Sequence, residues 1–523
     1  MKKIILALLI SIITCFSMFS QPVIEWEKKV DLARKNNLTD FIILNDGSYL
    51  SVGFTFDEIS RLFNPYYFKF DCNGNMLWRK QLVNYVMTNN FEGGEIQIVK
   101  MKDNIFAISG TGYVKKDTLG NLVGLLTLID SSGNVIKSKE FIGSQYVRVS
   151  KTISDGNNNL LLLLYTSSSS GIFQGNKGYS DIWLLKLDLN LNILVKKNIG
   201  GEGFDESTSI VKLKDGGYII TGSSTSKTGD FKAPYGVTAD INARSDAFVL
   251  KLNEFLEVVW STAFGGNQSD MSNSVLEMPD KSLVIGGMTS SYDGSFSGRP
   301  TSYTTDTYVA RMGPNGVLGS VKPIGNDRTN FTSVVWFSQL LGIDSSNYLL
   351  MCHGMTREGI FNTPNEMTWL LKMNTKNEIV WKKSFGVQRY VNVGFGNRGY
   401  QIKKTMDNGY LIVGEADDSI TYRENLWLLK LSPLEVNQQI SCEGLTLYPN
   451  PTIGNIKIQS VDYLQTGTEI KVYDTIGRSI YQGITSRICK DSDIILPNSL
   501  SSGMYYLSIN GAKKCVLPFV KVE

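Results

Sequence analysis

The chain contains a single histidine, His353, which directly follows Cys352 in the stretch LLMCHGMTREG. A catalytic histidine needs a nucleophile and an acidic partner that converge on its ring. Adjacent residues on a strand point to opposite faces of a sheet, so Cys352 is poorly placed to pair with His353. We therefore expect His353 to be a hydrogen-bonded histidine near a strand end. The residue counts also exclude zinc sites built from His and Cys.

Carboxylates are the other candidates for catalysis, because a glycosidase needs only two of them across a pocket. The stretch TISDGNNNL has the Ser, Asp and Gly of a sialidase-type Asp box but lacks its Thr-Trp ending. No other acid stands out from the aspartates that recur in turns. The sequence therefore predicts no catalytic residue and no enzyme.

Two oxygen-rich loops raise the question of calcium. The stretch SSYDGSFSG contains Asp293 and Gly294, and SKTGDFKAPYG contains Asp230. Such loops bind Ca²⁺ when enough acidic ligands converge, and neither has the full acidic count. We expect solvated turns and no cofactor or metal, with calcium as the one ion that these loops leave open.

The longest polar loops, residues 223–245 and 290–306, are rich in Ser, Thr, Tyr and Gly. Loops on one face of a rigid scaffold commonly carry binding sites. Tyr235, Tyr292 and Tyr303 would suit stacking on a sugar or a peptide. The alternative is that these loops only cover the face of the scaffold.

The scaffold that must position these loops is a sequence repeat. The unit DGGYIITGSSTS, starting at Asp215, is followed by DAFVLKLNEFLEVVW from Asp246, and the same order recurs along the chain. Each unit offers four short strands joined by tight Asp-Gly or Asn-Gly turns. The turn aspartates that mark seven units are Asp46, Asp103, Asp155, Asp215, Asp280, Asp344 and Asp407.

Four-stranded units of this length form a β-propeller when they repeat radially, with a solenoid as the alternative. The last unit ends at LWLLKLSP without its fourth strand, whereas VIEWEKKV, near the N-terminus, is such a strand without a unit. Pairing the two would close the ring and leave no open edge. We predict an all-β fold with a seven-bladed propeller over residues 22–433, closed by its N-terminal strand. Trp26, Trp78, Trp260 and Trp381 should cover contacts between blades.

Both ends of the chain differ from the repeat. Residues 1–20 contain two lysines and a short apolar run, which indicates a secretory signal peptide and not a membrane span. The formal net charge of +3 gives no case for nucleic acid. Five cysteines remain after the signal peptide; the sequence allows one disulfide among Cys442, Cys489 and Cys515 without choosing the pair.

The pattern changes after Pro433. Residues 434–442 form a polar linker, and residues 443–523 contain short alternating strands, which predict a small Ig-like β-sandwich. Four stretches there, YPNPTIGNIKI, VYDTIGRSIY, LSSGMYYLSI and the terminal FVKVE, resemble the C-terminal sorting domain of proteins exported by the Bacteroidota type IX secretion system. The residues that carry this resemblance are Tyr448, Pro449, Asn450, Pro451, Gly454, Asp474, Gly477, Arg478, Gly503, Tyr505, Lys521 and Val522.

The resemblance implies a route. The chain would reach the periplasm, and the type IX translocon would pass it to the cell surface or the medium. In this family a sortase-like peptidase often removes the domain, and the cargo is released or attached to surface lipopolysaccharide. We therefore expect a secreted, non-enzymatic propeller that binds a glycan or a protein. The alternative is a secreted carbohydrate-active hydrolase or lyase with carboxylates in the central pocket.

Overall fold

The structure is a computed structural model. It describes residues 21–83, 85–87, 96–102, 104–114, 121–233, 244–299, 305–324, 334–356, 363–386, 396–417, 423–434, 445–448, 456–460, 469–475, 477–484, 491–494, 501–510 and 514–521. Within these ranges the regular structure is almost entirely β-strand, with two 3₁₀ turns at Gly171–Phe173 and Gly294–Phe296. No helix among the described residues is long and apolar enough to cross a membrane.

Before residue 434 the described residues form 29 strands, which belong to seven sheets. The N-terminal strand and the first three sheets are formed by β1 (Ile24–Val30), β2 (Asn36–Ile43), β3 (Tyr49–Asp57), β4 (Leu62–Phe70), β5 (Met76–Gln81), β6 (Tyr85–Val86), β7 (Gln97–Lys100), β8 (Phe106–Val114), β9 (Val123–Ile129), β10 (Val135–Phe141), β11 (Val147–Ser154), β12 (Leu160–Thr166), β13 (Asp181–Leu187) and β14 (Ile193–Ile199). The other four sheets are formed by β15 (Asp205–Lys212), β16 (Tyr218–Ser224), β17 (Asp246–Leu252), β18 (Val258–Phe264), β19 (Asp270–Glu277), β20 (Leu283–Thr289), β21 (Asp306–Met312), β22 (Leu318–Ile324), β23 (Val334–Gly342), β24 (Asn347–Thr356), β25 (Thr363–Asn374), β26 (Ile379–Phe385), β27 (Arg398–Lys404), β28 (Tyr410–Asp417) and β29 (Glu424–Leu431).

Each sheet is an antiparallel meander in chain order, beginning at β2, β7, β11, β15, β19, β23 or β27. The seventh sheet has the order β27-β28-β29-β1, so the N-terminal strand supplies its fourth strand, with Trp26 opposite Lys430. The predicted pairing of chain ends is therefore confirmed. The second sheet has five strands. Because β8 extends beyond the short β7, β6 pairs with the end of β8 at Tyr113 and Val114.

The sheets pack in a closed ring. Seven apolar core clusters lie in the described part, and each joins two successive sheets; the last joins Leu411 and Leu428 of the seventh sheet to Leu38 and Phe41 of the first. The first strands of neighbouring sheets also contact one another around the ring. This arrangement is a β-propeller, with the first strands nearest the axis. The number of sheets equals the number of repeat units counted in the sequence.

The turn aspartates have the local role that the sequence predicts. Asp215 Oδ1 accepts a hydrogen bond from Gly217 N at 3.0 Å, and Asp280 Oδ1 accepts one from Ser282 N at 3.0 Å. Asp46, Asp155, Asp344 and Asp407 accept the amide two residues on in the same way. These bonds close the turn between the first and second strands of six sheets, so these aspartates are structural. Asp103, the turn aspartate of the second sheet, lies outside the described residues.

Tryptophans on the fourth strands cover the next sheet. Trp78 lies over the turn glycine Gly133 of the second sheet, where an added Cβ would be 2.7 Å from Cη2 of the indole. Trp26 covers Gly74 and Trp260 covers Gly316 in the same way. All three glycines have positive φ, which only glycine adopts without strain. The predicted role of these tryptophans between blades is confirmed.

A second contact lies two residues beyond Trp78 and Trp260 on the same fourth strands. Lys80 Nζ donates to Gly133 O at 3.0 Å, and Thr262 Oγ1 donates to Gly316 O at 2.7 Å. Lys139 Nζ makes the equivalent bond to Leu191 O at 2.7 Å. Lys80 and Lys139 therefore satisfy turn carbonyls of the neighbouring sheet.

The C-terminal part contains two antiparallel sheets. Its strands are β30 (Leu445–Tyr448), β31 (Ile456–Ser460), β32 (Glu469–Asp474), β33 (Ser479–Ile484), β34 (Asp491–Ile494), β35 (Gly503–Asn510) and β36 (Lys514–Lys521). The sheets have the orders β30-β31-β34 and β33-β32-β35-β36, and β30 contacts β36 between them. Val472, Leu507 and Ile509 are fully buried in the larger sheet.

Cysteine chemistry differs from the expectation. Cys72, which the sequence analysis did not consider for pairing, is disulfide-bonded. Cys352 is a free, buried thiol on β24, and burial raises its pKa far above the ordinary range. A thiol held in the neutral form is a poor nucleophile, so Cys352 acts as a small apolar core residue.

Candidate functional sites

His353 lies on β24 at the junction of the sixth and seventh sheets. Its Nδ1 is 3.1 Å from Ser338 Oγ, and its ring contacts Trp336 and Tyr400 with centroid distances of 5.4 and 6.1 Å. Burial and the nearby positive charge of Arg398 lower the pKa of His353 to about 3. The imidazole is therefore neutral at pH 7 and a weak base, which fits a packed histidine better than a general base.

Two buried aspartates have the most strongly raised carboxyl pKa values for which the structure gives a number. Burial raises the pKa of Asp205 to about 6 and that of Asp270 to about 7. Asp270 accepts hydrogen bonds from Thr289 Oγ1, Ser291 Oγ and Gly266 N at 2.6, 2.8 and 2.8 Å. Asp205 has the same three kinds of donor.

These two sites are copies of one structural device. Each carboxylate lies at the start of a first strand and ties the preceding Gly-Gly turn to the end of the second strand. Asp205 and Asp270 are 0% and 1% exposed, so neither can touch a substrate in this conformation. Raised carboxyl pKa values often mark catalytic acids. Here the pKa is raised because the carboxyl group is buried where it holds a turn, at equivalent positions in two sheets.

The two loops considered for calcium use their aspartates otherwise. Asp230 Oδ2 pairs with Lys177 Nζ at 2.5 Å and accepts the amide of Gly200 at 2.9 Å. Asp293 Oδ1 accepts the amide of Asn267 at 2.7 Å. Among the described residues, no group of three or more His, Cys, Asp or Glu side chains is arranged to hold a metal ion.

Three partly exposed aromatic side chains, Tyr179, Phe204 and Tyr292, lie at the same end of the propeller. Because the strands alternate in direction, the connections between second and third strands lie at the same end as those between successive sheets. Tyr179 and Phe204 occupy two such connections, and their rings stack with centroids 4.8 Å apart and planes inclined by 12°. Tyr179 is 51% exposed, and Tyr292, at the same end, is 38% exposed. We call this end the loop face.

Sequence reasoning found Tyr292 but missed the Tyr179–Phe204 pair. The two residues come from separate short loops, so no single stretch of sequence predicts their contact. The signal in the sequence was Tyr179, an aromatic residue in the polar connection between β12 and β13. Tyr235 and Tyr303 lie outside the described residues.

The C-terminal signature residues fall on both small sheets. Asp474 lies opposite Tyr505, and Gly503 lies opposite Lys521, so the larger sheet brings these four together. Tyr448 lies on the smaller sheet, opposite Lys457. Pro449, Asn450, Pro451, Gly454 and Val522 lie outside the described residues.

The turn between β32 and β33 presents three signature residues. Gly477 N donates to Asp474 O at 3.0 Å, and Arg478 Nε donates to Asp474 Oδ2 at 2.7 Å. The Arg478 side chain is 75% exposed, and nothing lies within 4 Å of where a Cβ of Gly477 would be. The turn is thus fixed internally and open on its outer side.

A comparison with known families identifies this part of the chain. Residues 446–519 match the secretion system C-terminal sorting domain. The chain carries a type IX sorting domain. It is therefore exported through the type IX secretion system to the cell surface or the extracellular space, as the four C-terminal motifs predicted. The matched residues cover the whole described sandwich except Leu445 and the last two residues of β36.

Comparisons over the whole chain are much weaker. No curated protein matches the sequence. PorZ, a surface component of the type IX secretion system of Porphyromonas gingivalis, aligns at 10% identity over 93% of this chain and 81% of its own, with a TM-score of 0.30. The β-propeller domain of the Trilobed protease from Pyrococcus furiosus aligns at 9% identity over 77% and 97%, with a TM-score of 0.40. Neither likeness supports a statement about activity.

Proposed function

We propose that the exported propeller is a non-enzymatic binding module for a glycan or a protein, and that the loop face is its binding surface. The observation that carries the proposal is the stacked pair Tyr179–Phe204, in which the Tyr179 side chain stays half exposed and Phe204 supports its ring from below. A rigid ring held flat at a surface offers contact area to a sugar or a peptide at little cost in conformational entropy.

The scaffold supports this role. The seven interfaces between sheets are apolar and continuous, so the loop face is held by a rigid frame. The connection that carries Tyr179 is fixed to the next sheet, because Tyr179 N and Ser180 N both donate to Gly203 O. A positioned platform of this kind needs little reorganisation on binding.

A glycan array and a peptide array probed with the full chain test the proposal. We expect saturable binding to a defined ligand class, and we expect Tyr179→Ala to weaken it by at least about tenfold, the effect of one lost aromatic anchor. Phe255→Ala is the matched control: Phe255 is 74% exposed, but its turn lies at the opposite end of the sheet.

The outcomes separate the alternatives. Binding that survives Tyr179→Ala but is lost in Phe255→Ala would place the site at the other end and refute the loop face. Release of sugar fragments from a bound polysaccharide would instead favour the carbohydrate-active hydrolase or lyase.

We further propose that the translocon recognises the turn at Asp474, Gly477 and Arg478, and that a sortase-like peptidase removes the sorting domain. The open outer side of that turn supports recognition, because Arg478 extends into solvent while its guanidinium is oriented by Asp474. Mass spectrometry of the mature protein tests the second step. A C-terminus before residue 446, with or without attached lipopolysaccharide, is expected, whereas an intact Glu523 would refute removal.

A further inference from the structure

The first strands carry an irregularity that recurs around the propeller axis. Six of them shift register after their second, third or fourth residue, as between Val149 and Lys151 or between Phe337 and Gln339. A bulge of this kind re-aims the side chains that follow it. The first paired residues after the shift, with Gln97 in the same register on β7, are Asp40, Gln97, Lys151, Ser209, Ser274, Gln339 and Gln401. We call these seven residues the axial ring.

The axial ring has a structural task in at least three sheets. Asp40 Oδ2 accepts the amide of Ile98 on the next sheet at 3.1 Å, and Gln97 Oε1 accepts that of Thr152 at 3.2 Å. Gln339 Oε1 accepts the amide of Ile402 at 2.8 Å. In these three sheets the residue at this position is therefore a hydrogen-bond acceptor that satisfies a backbone amide of the neighbouring sheet.

Lys151 breaks this pattern, because an ammonium group has three donors and no acceptor. Among the described residues, Lys151 Nζ makes neither a hydrogen bond nor an ion pair. The charges that act on it are Asp40 on the first sheet and Lys403 on the seventh, neither of which adjoins the third sheet. Side chains from sheets that are not neighbours interact only across the axis, so all three face the axial channel.

The three charges do not balance. Lys403 Nζ pairs with Asp40 Oδ1 at 2.7 Å and also donates to Phe41 O. Asp40 Oδ1 further accepts the amide of Phe41 at 2.8 Å, so this carboxylate is already occupied. Burial lowers the pKa of Lys151, since the neighbourhood supplies too little negative charge to offset its desolvation. Arg398, on the first strand of the seventh sheet, is paired with Glu415 at 3.0 Å.

Lys151 and Lys403 are buried only in part. The Lys403 side chain is 31% exposed although it lies next to the axis, and Lys151 is also partly exposed. Ser209, the neighbour of Lys151 in the axial ring, and Ser274, the residue after it, are partly exposed as well and carry hydroxyl donors. One unpaired ammonium, one shared ammonium and hydroxyl donors are the groups that hold a small oxyanion.

We propose that the axial channel binds a small oxyanion (a sulfate, phosphate or carboxylate group) between Lys151 and Lys403. Comparison with other sheets supports this role for Lys151. A residue with only a structural role at this position would accept a hydrogen bond, as Asp40, Gln97 and Gln339 do, and a lysine cannot. This site is independent of ligand binding at the loop face.

Isothermal titration of the full chain with sodium sulfate, sodium phosphate and sodium acetate in a low-chloride buffer at pH 7 tests the site. We expect one saturable site, and Lys151→Gln should weaken it by at least about tenfold. Lys322→Gln is the matched control, because Lys322 lies exposed on an outer strand of the fifth sheet. Lys151→Arg keeps the charge and should retain the binding, which separates loss of the site from misfolding.

Two further arms distinguish the source of the anion. Glucuronate that binds at least about tenfold more tightly than acetate, with no binding of glucose, would assign the carboxylate to a sugar. Equal binding of acetate and glucuronate would assign a free ion. An absence of saturable binding for all probes up to about 50 mM, or binding that is unchanged in Lys151→Gln, would overturn the proposal.

Discussion

The propeller and the sorting sandwich both contain turns with a glycine at positive φ, but the two regions use them differently. Gly133 in the propeller has φ of 75° and is covered by Trp78 of the preceding sheet, whereas Gly477 in the sandwich has φ of 84° and an open outer side. Repetition in the propeller marks residues that pack sheets together. In the sandwich, Arg478 of the signature remains exposed beside Gly477, whereas Tyr505 is buried. The recurrent turn therefore packs sheets together in one region, and its proposed role in the other is recognition.

The strongest test of this division of roles is deletion of the sorting sandwich. Deletion of residues 443–523 should abolish export, because the type IX sorting signal lies there, while the apolar interfaces between the propeller sheets remain intact. Immunoblots of the medium, cell surface and periplasm measure the distribution. We expect the truncated chain to accumulate in the periplasm with an unchanged propeller melting transition.

The control is the full-length chain with Phe255→Ala, which changes a propeller turn and should be exported normally. Normal amounts of the truncated chain outside the cell would contradict the division of roles.

The next largest effect should come from the closure of the propeller ring. Lys430 on β29 is buried and pairs with Glu25 of β1 at 3.0 Å and with Asp407 at 2.8 Å. Removing one partner of a buried ion pair leaves the other uncompensated, so Lys430→Ala should lower the free energy of unfolding by about 3–5 kcal/mol. Urea titration followed by tryptophan fluorescence measures it, since all eight tryptophans precede residue 434. Lys35→Ala, in the exposed pair with Glu424, is the control; an equal loss there would contradict the buried closure.

The third effect is a dependence of propeller stability on pH. The pKa of Asp270 is about 7 in the folded chain, above the value of about 3.9 for an unfolded Asp. A raised folded pKa stabilises the fold when the group is protonated, so this contribution is complete below about pH 4 and is lost as pH rises through about 7. The free energy of unfolding of the wild type should therefore decline between pH 5 and 8, and Asp270→Asn should reduce this decline by a total on the order of 3 kcal/mol.

Denaturation midpoints measured across this range, for the wild type and the variant, give the two slopes. Asp280→Asn serves as the control, because hydrogen bonds from Ser282 lower the pKa of this exposed turn aspartate and it titrates below the range. Identical slopes in wild type and Asp270→Asn would show that the buried carboxyl does not titrate there.

Much of the fold was predictable because the repeat exposes it. Turn aspartates such as Asp215 and fourth-strand tryptophans such as Trp78 occur at fixed positions in the repeat. The N-terminal strand matched the one unit that lacks a fourth strand, and it pairs there with β29. The extra strand β6 was not predictable, since it depends on how far β8 extends beyond β7. The disulfide of Cys72 was missed for a similar reason: sequence spacing does not report distances between separate turns.

The candidate sites were predictable only where the sequence motif itself is the site, as at Asp474, Gly477 and Arg478. The stacked pair Tyr179–Phe204 joins loops of two sheets, and the grouping of Lys151 with Asp40 joins the third sheet to the first. Such contacts depend on closure of the ring. An aligned repeat would still have shown that Lys151 stands where other units have an acceptor.

The smallest effect separates the two kinds of glycine directly. Gly133→Ala combines strain at positive φ with a methyl group pressed against Trp78, so we expect it to destabilise the propeller by about 2–3 kcal/mol. Gly477→Ala meets no neighbouring atom and should lose only about 1 kcal/mol, all of it in the sandwich. Tryptophan fluorescence should therefore detect the first change and not the second. If the turn is read during export, Gly477→Ala and Arg478→Ala should reduce the exported fraction more than Gly133→Ala does, although Gly133→Ala is the less stable protein. Export that instead follows stability across the three variants would show that the turn of the sandwich, like those of the propeller, only supports the fold.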